Sequence, residues 1–139
     1  MSHKILFVDD DEDIRMVAGA SLSAVGGWHV ALAASGAEAI ETARREPPDV
    51  IVLDVMMPGM DGPAVLDGLR RDTRTASIPV IFMTAKVQKP ELERYRALGA
   101  GLIAKPFDPM RLSGEVCRLL AGDDLSPSPG SRGRNADGF

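Results

Sequence analysis

Five short apolar runs recur along the chain, and each is followed by a longer segment in which apolar residues are spaced three or four apart. Short runs of Val, Ile and Leu are typical of strands buried on both faces, and the longer spacing is typical of amphipathic helices. We therefore predict five strands that alternate with five helices. The strands are expected at residues 5–8, 28–33, 50–53, 78–83 and 102–104, the second at a sheet edge, and the helices at about 12–25, 36–46, 63–72, 90–98 and 109–120.

Capping signals delimit several of the helices. Ser35 and Glu38 form a capping box at the start of the second helix, and a pair of prolines ends it. Asp108 and Pro109 suit the N-cap and the first position of the last helix. The helical spacing predicts buried faces that include Ile14, Val17, Ala18, Leu22 and Val25 in the first helix, Leu92, Tyr95 and Leu98 in the fourth, and Leu112, Val116, Leu119 and Leu120 in the fifth.

The alternation of strands and helices predicts a parallel sheet with right-handed crossovers. A five-stranded doubly wound sheet commonly has the strand order 2-1-3-4-5, in which the direction of winding reverses between strands 1 and 3. We expect an α/β fold of this kind. Ligands of such sheets bind beyond the carboxyl ends of the strands, so the residues that follow the strands are the candidates for function.

Composition narrows the class of protein. The 139 residues suffice for one domain, and the net charge of −4 disfavours a nucleic-acid partner. We find neither a signal peptide nor an apolar run long enough for a membrane span, so we expect a cytoplasmic location and no membrane partner. A single cysteine, Cys117, excludes an internal disulfide framework. It lies beside the apolar stripe of the predicted last helix, where we expect it to pack in the core rather than to sense redox changes. The predicted domain covers residues 1–121, and a disordered tail rich in Ser, Pro and Gly covers 122–139.

Acidic residues follow two of the predicted strands. Asp9 and Asp10 follow the first strand, and Asp54 follows the third. Strands 1 and 3 are neighbours in the predicted order, so these three carboxylates should meet in one crevice. Crowded carboxylates repel one another and resist ionisation unless a cation is present. Oxygen ligands in an open crevice suit Mg²⁺, which takes one or two carboxylates and keeps several waters.

A hydroxyl and an amine follow two further strands. Thr84 lies at the end of the fourth strand, and Lys105 follows the fifth. A carboxylate surrounded by a divalent-ion site, a hydroxyl and an ammonium group has the parts that phosphoryl transfer requires. Asp54 can be the nucleophile, while Mg²⁺ and Lys105 neutralise charge on the transferred group. Each signal alone is weak, and their occurrence at four strand ends in the required spatial order is the stronger argument.

Four motifs resemble the receiver domain of two-component response regulators. They are V-D-D-D at 8–11, L-D-V-M-M-P-G-M-D-G at 53–62, M-T-A at 83–85 and K-P-F at 105–107, and the similarity covers residues 4–121. The resemblance implies the flavodoxin-like (βα)5 fold and a phosphorylatable switch of the stand-alone type. It also implies a domain that is not an enzyme, although it supports its own Mg²⁺-dependent phosphoryl transfer and slow self-dephosphorylation.

The resemblance also implies roles for individual residues. Asp54 would accept a phosphoryl group from a sensor histidine kinase or a histidine phosphotransfer protein. Thr84 and Lys105 would contact that group, and the peptide bond between Lys105 and Pro106 would be cis. The implied ligands of Mg²⁺, for which Mn²⁺ can substitute, are Asp10 directly, Asp9 mainly through water, Asp54, and the backbone carbonyl of Met56.

One position departs from the family pattern. Three residues before the lysine, many members carry a tyrosine or phenylalanine that turns inward when the threonine engages phosphate, whereas this chain has Leu102. The implied switch region, Thr84, Ala85 and Leu102, therefore lacks an aromatic residue. We predict that Leu102 is a weak relay and that most coupling runs through the loop at 84–89 and the fourth helix. Output to an unknown downstream protein is expected through the face formed by the fourth helix, the fifth strand and the fifth helix.

Two other classes of protein use related parts. Phosphohydrolases of the haloacid dehalogenase type also combine Asp, Thr, Lys and Mg²⁺, but they carry a second acid two residues after the nucleophile, where this chain has Met56. A phosphate-independent interaction module with the same fold usually lacks the acids or the lysine, and this chain has both. A phosphorylatable receiver is therefore the favoured interpretation.

Overall fold

The computed structural model describes residues 3–85, 88–99 and 101–122. The strands are β1 (Lys4–Val8), β2 (His29–Ala33), β3 (Val50–Asp54), β4 (Val80–Thr84) and β5 (Gly101–Ala104). The helices are α1 (Glu12–Gly26), α2 (Gly36–Arg45), α3 (Gly62–Arg70), α4 (Lys89–Leu98) and α5 (Leu112–Leu120). The predicted tail beyond Gly122 lies outside the described residues.

All neighbouring strands pair in parallel, in the order β2-β1-β3-β4-β5. This confirms the predicted order and the position of β2 at an edge. Val8 of β1 lies opposite Leu53 of β3. The next residues along these two strands, Asp9 and Asp54, therefore leave the sheet side by side at its carboxyl end.

Two apolar layers cover the two faces of the sheet. Alternate residues of β3 point to opposite faces, so Ile51 and Leu53 belong to one core while Val50 and Val52 belong to the other. The first core includes buried residues of α2, α3 and α4, and the second includes those of α1 and α5. Because both faces are covered, the central strands are buried along their whole length, as their continuous apolar sequences predicted.

The ends of β4 and α3 differ slightly from the predicted bounds. β4 begins at Val80 because the Ile78 backbone N–H is used in a turn, where it donates to the Thr75 carbonyl (3.2 Å). The strand continues through Thr84, one residue beyond the predicted end. α3 ends at Arg70, and the predicted last residue, Asp72, instead accepts a hydrogen bond from the Arg74 backbone N–H (2.8 Å).

The start of α5 differs more, and the predicted N-cap at Asp108 is wrong. The helix begins at Leu112, and the Asp108 side chain caps the preceding turn by accepting a hydrogen bond from the Met110 backbone N–H (2.9 Å). The Ser21 hydroxyl of α1 donates to the carbonyl of Pro109 (2.6 Å). The segment before the helix is a turn, in which the Arg111 N–H donates to the Asp108 carbonyl (2.9 Å).

Several apolar residues that were predicted to be buried are exposed. Val17 and Val25 of α1, Leu98 of α4 and Leu120 of α5 are each at least 38% exposed. Cys117 is also exposed, so the expectation that it packs in the core is wrong. One half of the predicted capping box of α2 is confirmed, since Ser35 Oγ accepts a hydrogen bond from the Glu38 N–H. The Glu38 carboxylate instead accepts a hydrogen bond from the N–H of Ala34, one residue before the N-cap. None of the helices in the described ranges is long and apolar enough to cross a bilayer.

A buried hydrogen bond joins the link between α1 and β2 to α5. The indole Nε1 of Trp28 donates to Ser113 Oγ (3.0 Å), and both residues are buried. We predict that Ser113→Ala lowers the free energy of unfolding by about 1–3 kcal/mol, because the indole N–H is left without an acceptor. Urea denaturation followed by Trp28 fluorescence measures this loss. Ser23→Ala, a change at an exposed position of α1, should alter stability by less than about 0.5 kcal/mol, and an equal loss in both variants would contradict the prediction.

Candidate functional site

The carboxyl ends of four strands converge on one polar site. Asp9 follows β1, Asp54 is the last residue of β3, and Thr84 is the last residue of β4. Lys105 follows β5, and its backbone N–H donates to the Thr84 carbonyl (2.9 Å). Thr84 is buried at 2% exposure. The structure thus brings together the side chains that the sequence placed at strand ends.

Three carboxylates lie within metal-binding distance of one another. One oxygen from each of Asp9, Asp10 and Asp54 lies within 4.8 Å of the other two. Asp9 and Asp54 are buried, at 1% and 3% exposure, whereas Asp10 is exposed. Two acids therefore form the wall of the crevice, and the third faces the solvent from which an ion would arrive.

Lys105 connects the two buried carboxylates. Its Nζ lies 3.0 Å from Asp9 Oδ2 and 3.3 Å from Asp54 Oδ2, and its side chain is 18% exposed. The burial of Lys105 disfavours its charge, but the hydrogen bond to Asp9 and the attraction of both carboxylates outweigh this, so the pKa of Lys105 is raised above its usual value. The amine is therefore an ammonium ion at neutral pH.

Asp54 carries a net electrostatic penalty. Burial is the largest cause and the negative charge of Asp9 is the second, and together they raise the pKa of Asp54 although Lys105 and the Met56 N–H act in the opposite direction. The Met56 backbone N–H donates to Asp54 Oδ1 (3.2 Å). A carboxylate in this position gains from any further cation in the crevice.

The donor set suits a hard divalent cation. It consists of carboxylate oxygens from Asp9, Asp10 and Asp54, without sulfur or imidazole, which is typical of Mg²⁺ sites. Both carboxylate oxygens of Asp9 already accept hydrogen bonds, from the Asp11 N–H and from Lys105. Within the described part of the chain, by contrast, no hydrogen bond reaches the Asp10 carboxylate or the Met56 carbonyl. In this part of the chain, the Asp10 carboxylate is therefore not engaged by another group of the protein, whereas that of Asp9 is.

Arg15 belongs to the site but was not singled out in the sequence. Its Nη1 donates to the Asp9 carbonyl (2.8 Å), which is the oxygen of the peptide bond joining Asp9 to Asp10. With the Asp9 N–H donating to the Ala33 carbonyl (3.2 Å), every polar atom of Asp9 has a partner. Arg15 thereby fixes the plane of the peptide between the two acids. Its position one turn into α1, after the acidic run, was the available signal.

The predicted switch residues lie at two levels of the sheet. Ala104 lies opposite Thr84, whereas Leu102 lies opposite Phe82. Leu102 is partly buried and packs against the core beneath α2, α3 and α4. Ala85 is exposed at the rim. The predicted cis bond is present between Lys105 and Pro106.

The fold and site define a doubly wound α/β domain with an acidic, lysine-containing pocket at its switch point. A family model described as the response regulator receiver domain matches residues 5–116. The chain therefore belongs to the response regulator receiver family of two-component signalling, whose members are phosphorylatable domains rather than enzymes in their own right and interact with histidine kinases.

Individual relatives agree with this assignment. The chain is 36% identical over 128 residues to response regulator Rre1 of Synechocystis, covering 91% of this chain and 55% of the relative. It is 35% identical over 136 residues to the transcriptional regulatory protein PhoP of Bacillus subtilis, covering 97% and 55%. The chain thus spans about half the length of these relatives.

Solved structures extend the comparison to three dimensions. Chemotaxis protein CheY4 of Vibrio cholerae matches with a TM-score of 0.78 and 32% identity, over 86% of this chain and 99% of that chain. The receiver domain of a sensor histidine kinase from Pseudomonas aeruginosa matches with a TM-score of 0.76 and 28% identity, over 87% and 99%. That structure is described with a magnesium ion coordinated in the active-site cleft.

The raised pKa of Asp54 predicts a pH-dependent stability. The folded protein binds a proton at Asp54 more tightly than the unfolded chain does, so ionisation of Asp54 destabilises the metal-free fold. We expect Asp54→Asn to raise the melting temperature at pH 7 in a chelator, and the difference should vanish as the pH falls below the usual carboxyl value of 3.8. Saturating Mg²⁺ should reduce the difference, because it stabilises the wild type more than the variant. A lower melting temperature for the variant in chelator would mean that attraction by Lys105 exceeds the cost of burial.

The Arg15 contact predicts that replacing this arginine changes the affinity for Mg²⁺. The direction of the change distinguishes a positioning role of Arg15 from a purely electrostatic one. If Arg15 acts by positioning the Asp9–Asp10 peptide, Arg15→Met should weaken Mg²⁺ binding by about tenfold. If the arginine acted only through its positive charge, the same change would strengthen binding. NMR titration or calorimetry measures the dissociation constant. Arg70→Met is the matched control, since Arg70 Nη1 also donates to a backbone carbonyl, that of Ile78 (2.9 Å), but lies outside the acidic cluster.

Proposed function

We propose that this chain is a phosphorylation-controlled switch in which Asp54 accepts a phosphoryl group from a histidine kinase or a histidine phosphotransfer protein. The observation that carries the proposal is the geometry around Asp54. This carboxylate lies at the end of a central strand, beside a buried ammonium group and two further acids. A site of this composition can neutralise a transferred phosphoryl group on several sides, which is what catalysis of phosphoryl transfer requires.

In the proposed reaction, a carboxylate oxygen of Asp54 attacks the phosphorus atom of a phosphohistidine. The new bond joins that oxygen to phosphorus, and the bond between phosphorus and the imidazole nitrogen breaks, so the imidazole leaves with the bonding electrons. Lys105 lies 3.3 Å from Asp54 Oδ2 and can shift its hydrogen bond to a phosphoryl oxygen. Thr84, at the end of β4, is proposed to contact the same group through its hydroxyl. The raised pKa of Lys105 keeps its charge available throughout.

Mg²⁺ fits this site and would be held by Asp10, Asp54 and the Met56 carbonyl, with Asp9 acting mainly through water; Mn²⁺ offers the same charge and similar oxygen preference. When bound, the ion would supply positive charge against the carboxylates and the phosphoryl oxygens. The chain's own contribution is to hold the acids together before the ion arrives. Asp9 does this through its four hydrogen-bonded atoms. Slow self-dephosphorylation would follow from the access of water to the open rim of the crevice.

Two surfaces are proposed to serve two kinds of partner. An apolar concavity of about 410 Å³ lies beside Lys105, lined by Ile14, Val17, Phe107 and Pro109 among others. Its position next to the reactive centre suits the protein that delivers the phosphoryl group. The face formed by α4, β5 and α5 is proposed to bind the downstream protein. Separate surfaces would allow the donor to leave before the output partner binds.

The proposal predicts the outcome of phosphorylation with a small phosphodonor. Incubation of the wild type with acetyl phosphate and Mg²⁺ should add the mass of one phosphoryl group, measured by intact mass spectrometry. Asp54→Asn should abolish the adduct, because an amide is nearly isosteric with the carboxylate but a poor nucleophile. A chelator should abolish it in the wild type as well.

Two controls make this experiment decisive. Asp49→Asn removes a carboxylate near the start of β3, where it accepts a hydrogen bond from the Lys4 N–H, and it should leave phosphorylation unchanged. Circular dichroism of Asp54→Asn should match the wild type. Survival of the adduct in a folded Asp54→Asn protein would mean that a different residue is the acceptor.

A further inference from the structure

Helix α4 is attached to the sheet mainly by one side chain. Tyr95 is the only buried residue of α4, at 7% exposure, whereas Leu98 of the same helix is 42% exposed. The rest of the helix is rich in charged residues, as its sequence KPELERYRAL shows. The position of α4, and hence of one side of the proposed output face, therefore depends on what Tyr95 contacts.

Tyr95 packs against a ring that belongs to the strand of Thr84. The ring centroids of Tyr95 and Phe82 are 5.8 Å apart and the rings are tilted by 51°. Phe82 is fully buried and lies two residues before Thr84 in β4. Side chains two apart on a strand point to the same face. Thr84 and Phe82 therefore lie on the same face of the sheet, which is the face that α4 covers.

The Phe82 ring is also in close contact with the loop that follows Asp54. A methyl group built on Gly62 would lie 3.1 Å from Phe82 Cε1, and one built on Gly99 would lie 3.0 Å from Phe82 Cε2. Gly62 begins α3 directly after the loop from Asp54, and its N–H donates to the Val55 carbonyl (3.0 Å). Gly99 ends α4. The ring therefore has little free space between the phosphoacceptor loop on one side and the end of α4 on the other.

The neighbouring position on β5 does not carry an aromatic ring. Leu102 lies opposite Phe82 in the sheet and is partly buried against the same core. An aliphatic side chain can occupy this space without fixing the orientation of its neighbours. The aromatic partner available to β4 in this region is on the helix, not on the fifth strand.

We propose that the contact between Phe82 and Tyr95 couples the phosphorylation state of Asp54 to the position of α4. A change at Asp54 or Thr84 moves the loop to Gly62 or the end of β4, and either movement displaces the Phe82 ring. Because Tyr95 is the one residue that α4 buries, a displaced Phe82 ring moves the helix with it. The inference rests on the proposed function and adds to it two positioning residues on the path to the output face.

Beryllofluoride, which binds a carboxylate as a mimic of the phosphoryl group, provides the test. Coupling between two sites is reciprocal, so a contact that transmits the state of Asp54 to α4 must also alter the affinity of Asp54 for the mimic. We expect Tyr95→Leu to change the apparent dissociation constant of beryllofluoride, at saturating Mg²⁺, by at least about fivefold. NMR titration monitors binding at Thr84 and the response of α4 in the same spectra.

The control variants separate coupling from a general loosening of the helix. Tyr95→Phe retains the ring, so its dissociation constant for beryllofluoride should stay within about twofold of the wild-type value. A change of that size is below the range typical of coupled sites. Leu98→Ala removes an exposed apolar side chain from the same helix and should also have no effect on the mimic. In Tyr95→Leu, the shifts of α4 resonances on binding should be lost.

Each result has a distinct meaning. If the Tyr95→Leu protein bound beryllofluoride as tightly as the wild type and the Leu98→Ala protein do, the inference would be overturned, even if α4 itself were loosened. A Tyr95→Phe protein that behaved like Tyr95→Leu would also overturn it, because the hydroxyl and not the ring would then be responsible. Failure of the wild type to bind beryllofluoride would instead overturn the proposed function.

Discussion

The site depends on one arrangement of charge: an ammonium group held between two buried carboxylates. Lys105 is 96 residues from Asp9 and 51 residues from Asp54 along the chain, so its two ion pairs connect β1, β3 and the end of β5 across the sheet. Without the lysine, Asp54 would lose an attraction that lowers its pKa, and burial and the charge of Asp9 would oppose its ionisation more strongly. One ammonium group faces three carboxylates, so the site remains short of positive charge. The remaining negative charge would attract a divalent cation, and the bound cation would in turn offset the charge of a phosphoryl group.

This arrangement is possible only because of the strand order. In the order β2-β1-β3-β4-β5, the first and third strands are adjacent, and their following residues emerge together. The acids come from separate strands whose backbones are fixed by ladder hydrogen bonds and by apolar layers on both faces. Repulsion between Asp9 and Asp54 therefore cannot be relieved by moving them apart. Arg15 and Lys105 hold Asp9 through its backbone and its side chain, respectively.

The helices on the two faces of the sheet are attached by different kinds of contact. On one face, Ser21 of α1 donates a hydrogen bond to the turn before α5 and Ser113 of α5 accepts one from Trp28, which follows α1, in addition to apolar packing. On the other face, α4 buries a single aromatic side chain. In the proposed coupling, a small change at the carboxyl end of β4 is passed to α4 through this side chain. The absence of an aromatic residue at position 102 fits a relay that runs through this helix.

The sequence by itself determined the elements, the strand order and the composition of the site, because these follow from local periodicity, from capping residues and from connection rules that involve no distant contact. Asp9, Asp10, Asp54, Thr84 and Lys105 could be placed together in this way. Only the tertiary structure decided where α5 begins, three residues after Pro109, whose carbonyl accepts a hydrogen bond from Ser21, 88 residues away. It also decided that Val17 and Val25 stay exposed, that Arg15 reaches the Asp9 carbonyl, and that Tyr95 meets Phe82. Each of these depends on which of several suitable partners lies within reach, and that is known only when the elements have packed.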